Sequence, residues 1–295
     1  RQRREEEAEF QKNKREYEAR KAQEEQAKLL EEMKKERLTA RNYHSIEMNN
    51  RYWSASLLKS FLDCPARTMA ELNGEYERPK SEALMVGSYV DAAFESKRAF
   101  ELFGNEHPEI FKRDGSLKSE YVKAQQMIER AKSDNVFMDF MKGRHQTIKT
   151  AELWGVPFKA KFDVLAKDRI VDLKTVRDFK PLYREGEGRL NVVDYWRWTL
   201  QMALYQKIEG HGLPCYIAAI TKEEPSDLAV IEIPQARMDA EIDFISTRIE
   251  LFKGMKAGLV EAERCEHCAY CRATRKLKGA VTLDYFDMVG GTTDD

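Results

Sequence analysis

The chain has 295 residues, 42% hydrophobic and 34% charged, enough apolar side chain for one substantial core. Fifty Lys and Arg against 51 Asp and Glu leave a formal net charge of −1, so any surface for nucleic acid has to be a local patch. No apolar run approaches the roughly 20 residues needed to span a bilayer, and the start RQRREEEAEF does not read as a signal peptide. With five cysteines, three of them in CEHCAYC, a cytoplasmic protein with reduced, metal-competent thiols is expected.

Residues 1–41 are mostly Glu, Lys, Arg, Gln and Ala, with too few large apolar groups for a heptad seam. Opposite charges four apart, Glu24 with Lys28 and Glu31 with Lys35, favour a solvated helix. The prediction is a charged helical or disordered arm, with a partner-binding or coiled-coil arm as the alternative. A folded domain is predicted over residues 42–290. Its first strong helix is SASLLKSFLDC, with Ser54 as N-cap, and helical spacing continues through ALMVGSYVDAAFESKRAFELF and SEYVKAQQMIERAKSDNVFMDFM. From Ile148 the period shifts to two, and IKTAELW, PFKAKFDVLA and RIVDLKTV, divided by short turns, read as an antiparallel meander. A polar loop, RDFKPLYREGEGRLN, precedes one long predicted helix, VVDYWRWTLQMALYQKIEG. Strands CYIAAIT and LAVIEIP and a helix from about Met238 to Leu259 complete an α/β class with a central mixed sheet flanked by helices.

Residues two apart on a strand share a face, so Asp172 and Lys174 project together, as do Lys161, Asp163 and Leu165 on the strand before. If the two strands pair, Asp163 comes close to Asp172. A buried ion pair alone is a poor stabiliser, because desolvation can exceed the Coulombic gain. A hard cation changes that balance, since Mg²⁺ takes carboxylate oxygens at about 2.0 to 2.1 Å. Acids, a divalent metal and a lysine suit phosphodiester hydrolysis, which needs an activated water and neutralised charge on phosphorus. An exposed strand carrying a simple salt bridge is the bland alternative.

AKFDVLAKDRIVDLKT resembles the core of the PD-(D/E)xK nuclease superfamily, with its restriction-endonuclease-like fold, in the RecB-like and RecE-like branch that includes phage exonucleases. WSASLLKSFLDCPAR is similar to that branch's SxSxLxxFxxCP helix, VGSYVDAAFE resembles its GxxxHxxxE segment, and QMALYQ matches its Q-x-x-x-Y motif. The resemblance implies Asp163 and Asp172 as metal-binding acids, Lys174 as the catalytic lysine, and the Leu173 carbonyl as a further ligand. It implies that Gln201 and Tyr205 reach toward the lysine and the DNA backbone. Asp91 stands where the pattern has histidine and is expected to be a metal ligand, with Glu95 a weaker candidate.

The implied function is Mg²⁺- or Mn²⁺-dependent digestion of linear double-stranded DNA from its ends, 5′ to 3′, in phage-type recombination. The product would be a single strand for an annealing protein or recombinase, and the enzyme a homo-oligomeric ring in the bacterial cytoplasm. The alternatives are a RecB-like nuclease with an iron–sulfur cluster in DNA repair or CRISPR processing, and a noncatalytic DNA-binding assembly subunit. Cys64 with Cys265, Cys268 and Cys271 resembles the one-early, three-late plan of a [4Fe-4S] site. Zinc, with His267 joining three cysteines, and unligated thiols are the other readings, while Cys215 reads as a small core residue. Ser56, Lys59, Arg67, Arg177 and Arg184 are expected at a basic rim that contacts phosphates.

Overall fold

The structure, a computed structural model, describes residues 21, 37–79, 81–184, 186–277, 279–280 and 283. The charged arm predicted over residues 1–41 lies outside the described residues except at Lys21 and residues 37–41. Among the described residues no helix is long and apolar enough to cross a membrane.

The helical front half comprises α1 (Ile46–Arg51), α2 (Ala55–Asp63), α3 (Pro65–Leu72), α4 (Glu82–Glu95), α5 (Lys97–Glu106), α6 (Ser119–Lys132) and α7 (Asn135–Phe140). Strands β1 (Arg144–Leu153), β2 (Val156–Leu165) and β3 (Ile170–Val176) follow, then β6 (Cys215–Thr221) and β7 (Leu228–Ile233) after a long crossover. These five form one sheet in the order β1-β2-β3-β6-β7, in which only β3 and β6 run parallel. A parallel pair needs a crossover of a dozen or more residues. Here it carries the hairpin β4 (Leu182–Arg184) and β5 (Gly188–Leu190) and the helices α8 (Val192–Tyr195) and α9 (Trp198–Glu209). Helices α10 (Gln235–Ser246), α11 (Ile249–Lys256) and α12 (Ala269–Ala273) end the fold.

Two hydrophobic layers cover the sheet. One gathers Leu58 and Phe61 of α2, Leu200 and Leu204 of α9, and Ile249 and Phe252 of α11. The other gathers Tyr89 and Phe94 of α4, Met127 of α6 and Phe137 of α7. This is the α/β arrangement the sequence predicts, a mixed sheet between helices.

Several local expectations are corrected. The polar loop contains the β4–β5 hairpin, made possible by Gly186 and Gly188 at positive φ. The long helix predicted from Val192 is broken between α8 and α9, where Arg197 takes a left-handed φ of 51°. Its guanidinium reaches Glu187 at 3.2 Å, while Arg184 donates to the Tyr195 carbonyl, so side chains from the hairpin hold the break. The last predicted helix divides after Ser246, where the hydroxyls of Ser246 and Thr247 bond back to the carbonyls of Asp243 and Phe244 and compete with the helical ladder. Strand alternation also slips at Asp163. Phe158, Ala160 and Phe162 fill the first layer, but Val164 enters the second and Leu165 the first. Leu165 therefore does not share a simple face with Lys161. Gln146, opposite the slip on β1, has a left-handed φ of 49° that turns the ribbon there.

Candidate active site

The site sits in a fork between two strands. β2 and β3 pair only at Val164 with Val171 and Leu165 with Ile170. Beyond those pairs the strands separate, and the Leu173 N–H donates to Asp163 Oδ2 at 2.9 Å instead of to a strand carbonyl. Farther down the fork, Trp53 pairs with the edge of β2 through Trp53 N to the Pro157 carbonyl and Lys159 N to the Trp53 carbonyl, both 2.8 Å. Ser54 then caps α2, its hydroxyl accepting from Leu57 N at 3.2 Å, and launches Ser56 and Lys59 into the opening.

From the other side, Leu84, Ser88, Asp91 and Glu95 line the cleft at helical spacing on α4. Gly87 lets α4 come close to β3, since a Cβ there would stand 3.4 Å from Thr175 Oγ1. Helix α9 supplies Gln201 and Tyr205, one turn apart. The resulting cleft, about 470 Å³, also holds Tyr43, His44, Gln146, Lys161, Asp163, Asp172, Leu173 and Lys174.

Its polar contacts form two sets, one around Asp172 and one around Asp163. Asp172 is 1% exposed; its Oδ1 accepts from Gln201 Nε2 at 2.7 Å, and Gln201 Oε1 accepts from Lys59 Nζ at 2.9 Å. Tyr205 Oη lies 3.3 Å from Gln201 Nε2 and donates to the Lys161 carbonyl at 3.1 Å. Gln146 Nε2 donates to Asp163 Oδ1 at 3.2 Å. Asp172 Oδ2 lies 2.5 Å from Lys174 Nζ as an ion pair, yet it is buried and receives no well-directed hydrogen bond.

Burial first, and then Asp172, push the Asp163 carboxyl well above the ordinary range, with Asp91 adding to the effect. Burial likewise pushes Asp91 up to about 7, with Lys174 opposing and Asp172 reinforcing the rise. For Lys174 burial alone favours the neutral amine, but Asp172 and Asp163 outweigh it and raise the pKa, so the ammonium is retained. Lys59 is lowered to about 7, mainly by burial and then by Lys174. Four acids, Asp91, Glu95, Asp163 and Asp172, thus share the cleft with three lysines, and one buried carboxylate oxygen lacks a directed donor. The donors here are all oxygens, the type that a hard divalent cation takes.

Ser56, Lys59, Gln201 and Tyr205 line the cleft, as does Glu95. Arg67, Arg177 and Arg184 do not. Arg67 stands outside the cleft lining, 3.8 Å from Asp63 and 3.5 Å from Glu71 along α2 and α3. Arg184 bonds Glu187 and the carbonyls of Asp194 and Tyr195. Arg177 is exposed beside Asp178 at 2.8 Å. Sequence reasoning overlooked Gln146, Tyr43 and Lys159. Lys159 is 1% exposed and donates to the Tyr43 carbonyl and, at 2.9 Å, to Asn49 Oδ1. The aromatic pair in NYH, just where the composition turns apolar, is the signal that could have drawn Tyr43 into the site.

Away from the cleft, Cys64, Cys265, Cys268 and Cys271 place their sulfurs within 4.8 Å of one another. His267 is exposed and outside this group, and Cys215 is buried on β6 beside the Met202 carbonyl.

The model of a family described as "PDDEXK-like domain of unknown function (DUF3799)" matches residues 54–274. A crystal structure of a protein from Eubacterium rectale, described as a candidate exonuclease, is similar to this chain with a TM-score of 0.80 and 35% sequence identity, over 87% of this chain and 99% of that one. No curated protein matches the sequence.

Proposed function

Because the chain belongs to this PDDEXK-like family and carries its nuclease fold, we propose that it is a divalent-metal-dependent exonuclease that digests linear double-stranded DNA from its ends. The observation that carries this reading is the convergence of Asp91, Asp163 and Asp172 with Lys174 in one cleft. Mg²⁺ or Mn²⁺ held by these acids and the Leu173 carbonyl would supply charge neutralisation at the phosphate and a more acidic water.

The chain's own residues supply orientation. Asp172, fixed by Gln201, holds the Lys174 ammonium at the cleft, where it aligns the attacking water or donates to a non-bridging phosphate oxygen. As water adds to phosphorus, the bond to the leaving sugar oxygen breaks. Lys59 and Ser56, at the mouth of the fork, suit the flanking phosphates.

The 5′ to 3′ direction, the single-stranded product for an annealing protein or recombinase, and a setting in phage-type recombination in the bacterial cytoplasm rest on the motif resemblance. A homo-oligomeric ring is part of the same reading, since it would retain duplex without a large positive field. The test is a time course on end-labelled linear duplex, with and without 5′-phosphate, beside closed circular DNA. Wild type should release nucleotides from 5′ ends only when Mg²⁺ is present, and Lys174→Ala should be slower by about 10²- to 10⁴-fold. Equal rates for the two proteins would overturn the mechanism; digestion of closed circles would overturn the requirement for ends.

A further inference from the structure

The four clustered cysteines lie outside the nuclease cleft, and their geometry discriminates between the groups they could hold. Cys64 Sγ is 3.6 Å from Cys271 Sγ and 3.8 Å from Cys268 Sγ, and Cys265 Sγ is 3.9 Å from Cys271 Sγ. A disulfide needs about 2.05 Å, so none of these pairs is bonded. One ion bound tetrahedrally at about 2.3 Å per thiolate sets sulfurs about 3.8 Å apart, the tetrahedron edge being about 1.63 times the bond. A [4Fe-4S] cubane puts a separate iron in front of each thiolate and spreads the sulfurs to about 6 Å. The cage is too small for the cubane that the motif resemblance suggests.

We propose that Cys64, Cys265, Cys268 and Cys271 hold a single structural Zn²⁺.

The surrounding backbone is arranged for thiolates. The amides of Arg67, Cys268 and Cys271 point at the sulfurs of Cys64, Cys265 and Cys268 at 3.5, 3.3 and 3.4 Å, each three residues along from the sulfur it meets. Such amide donors offset thiolate charge and fix the ligand rotamers. Cys64 and Cys271 are fully buried, which suits a closed structural site with no open position for chemistry.

The ion would fasten two distant parts of the chain. Cys64 joins α2 to α3, whereas the other three ligands belong to the segment that runs into α12. Other contacts follow the same seam. Ala66 N donates to the Glu263 carbonyl at 2.9 Å, and the rings of Tyr76 and Tyr270 meet edge to face at 5.3 Å. Helix α2 also carries Ser56 and Lys59 into the cleft, so zinc would anchor the rear of a helix whose front faces substrate.

The test is metal and acid-labile sulfide analysis of protein expressed anaerobically with iron and zinc both supplied, then exchanged into excess Mg²⁺ to clear the carboxylates. One zinc per chain, no labile sulfide and a colourless protein are expected. Co²⁺ in place of zinc should give the intense visible bands and thiolate charge transfer of a tetrahedral four-sulfur site. Cys268→Ser should lose the zinc, melt at lower temperature and be cut sooner by protease in the segment leading to Cys265, while His267→Ala should keep its zinc. Four irons with four sulfides per chain would overturn the proposal in favour of a cluster, and the absence of stoichiometric metal would overturn it outright. Wild-type metal content decides the matter even if Cys268→Ser does not fold, and it does so independently of whether DNA is degraded.

Discussion

Asp91 offers a sharp test of whether the acid cluster is built for a cation. Its carboxyl is pushed from the ordinary 3.8 up to about 7, by burial and by Asp172 and Glu95, against the pull of Lys174 and Lys161. Between those two values the folded chain holds a proton that the unfolded chain has released. Stability must therefore fall as pH rises, by about 1.4 kcal/mol per pH unit. Over roughly three units this reaches an upper bound of about 4 kcal/mol, and the partial solvent contact that Asp91 retains trims it to about 2–3 kcal/mol. Asp91→Asn removes the titration with little change in shape; Asp163 and Lys174 feel the Asp91 charge and shift with it, while groups that do not face Asp91 cancel in the difference. In Mg²⁺-free buffer the variant should match wild type near pH 4 and exceed it by that amount near pH 8, as measured by urea unfolding followed through tryptophan fluorescence. Added Mg²⁺ should stabilise wild type and leave the variant nearly unchanged. A difference that does not vary with pH, or wild type the more stable at pH 8 without metal, would refute the reasoning.

Gln146→Ala removes the hydrogen bond to Asp163 Oδ1, and the Mg²⁺ concentration for half-maximal nuclease activity should rise by about 10- to 100-fold, measured by metal titration of initial rates. Gly143→Ala places a Cβ 2.7 Å from Val164 Cγ1 and 3.1 Å from the Leu165 backbone, at the closed end of the fork, so thermal unfolding should show a loss of about 1–3 kcal/mol.

The meander, the two later strands and the flanking helices were legible because their apolar residues form regular runs, but the parallel pairing of β6 with β3 was not. The breaks were not. Trp196 and Arg197 continue the helical pattern in composition, and only the reach of Arg184 and Arg197 to partners outside the helix turns the chain there. In the cleft, acids and a lysine could be read from strand spacing and motif order, because those groups are fixed by position along the chain. Gln146 could not, since a polar residue on an edge strand points outward by default and a left-handed backbone angle turns this one inward. Arg184 resembled a phosphate-binding residue by type, but the Glu187 carboxylate and the carbonyls of Asp194 and Tyr195 had already taken its donors.

The fork between β2 and β3 bears on which inactive form of the nuclease is suitable for trapping a substrate in a crystal. Asp163 is at once an acid of the cleft and the acceptor that stands in for a missing strand partner at Leu173. Asp163→Ala would leave that N–H without its acceptor, at a cost of about 1–3 kcal/mol, and a complex captured with it would record a relaxed fork as well as a bound substrate. Asp163→Asn keeps an oxygen for the Leu173 amide. Lys174→Ala leaves the Asp163 contacts, and so the spread of the two strands, in place, while it removes the ion-pair partner of Asp172.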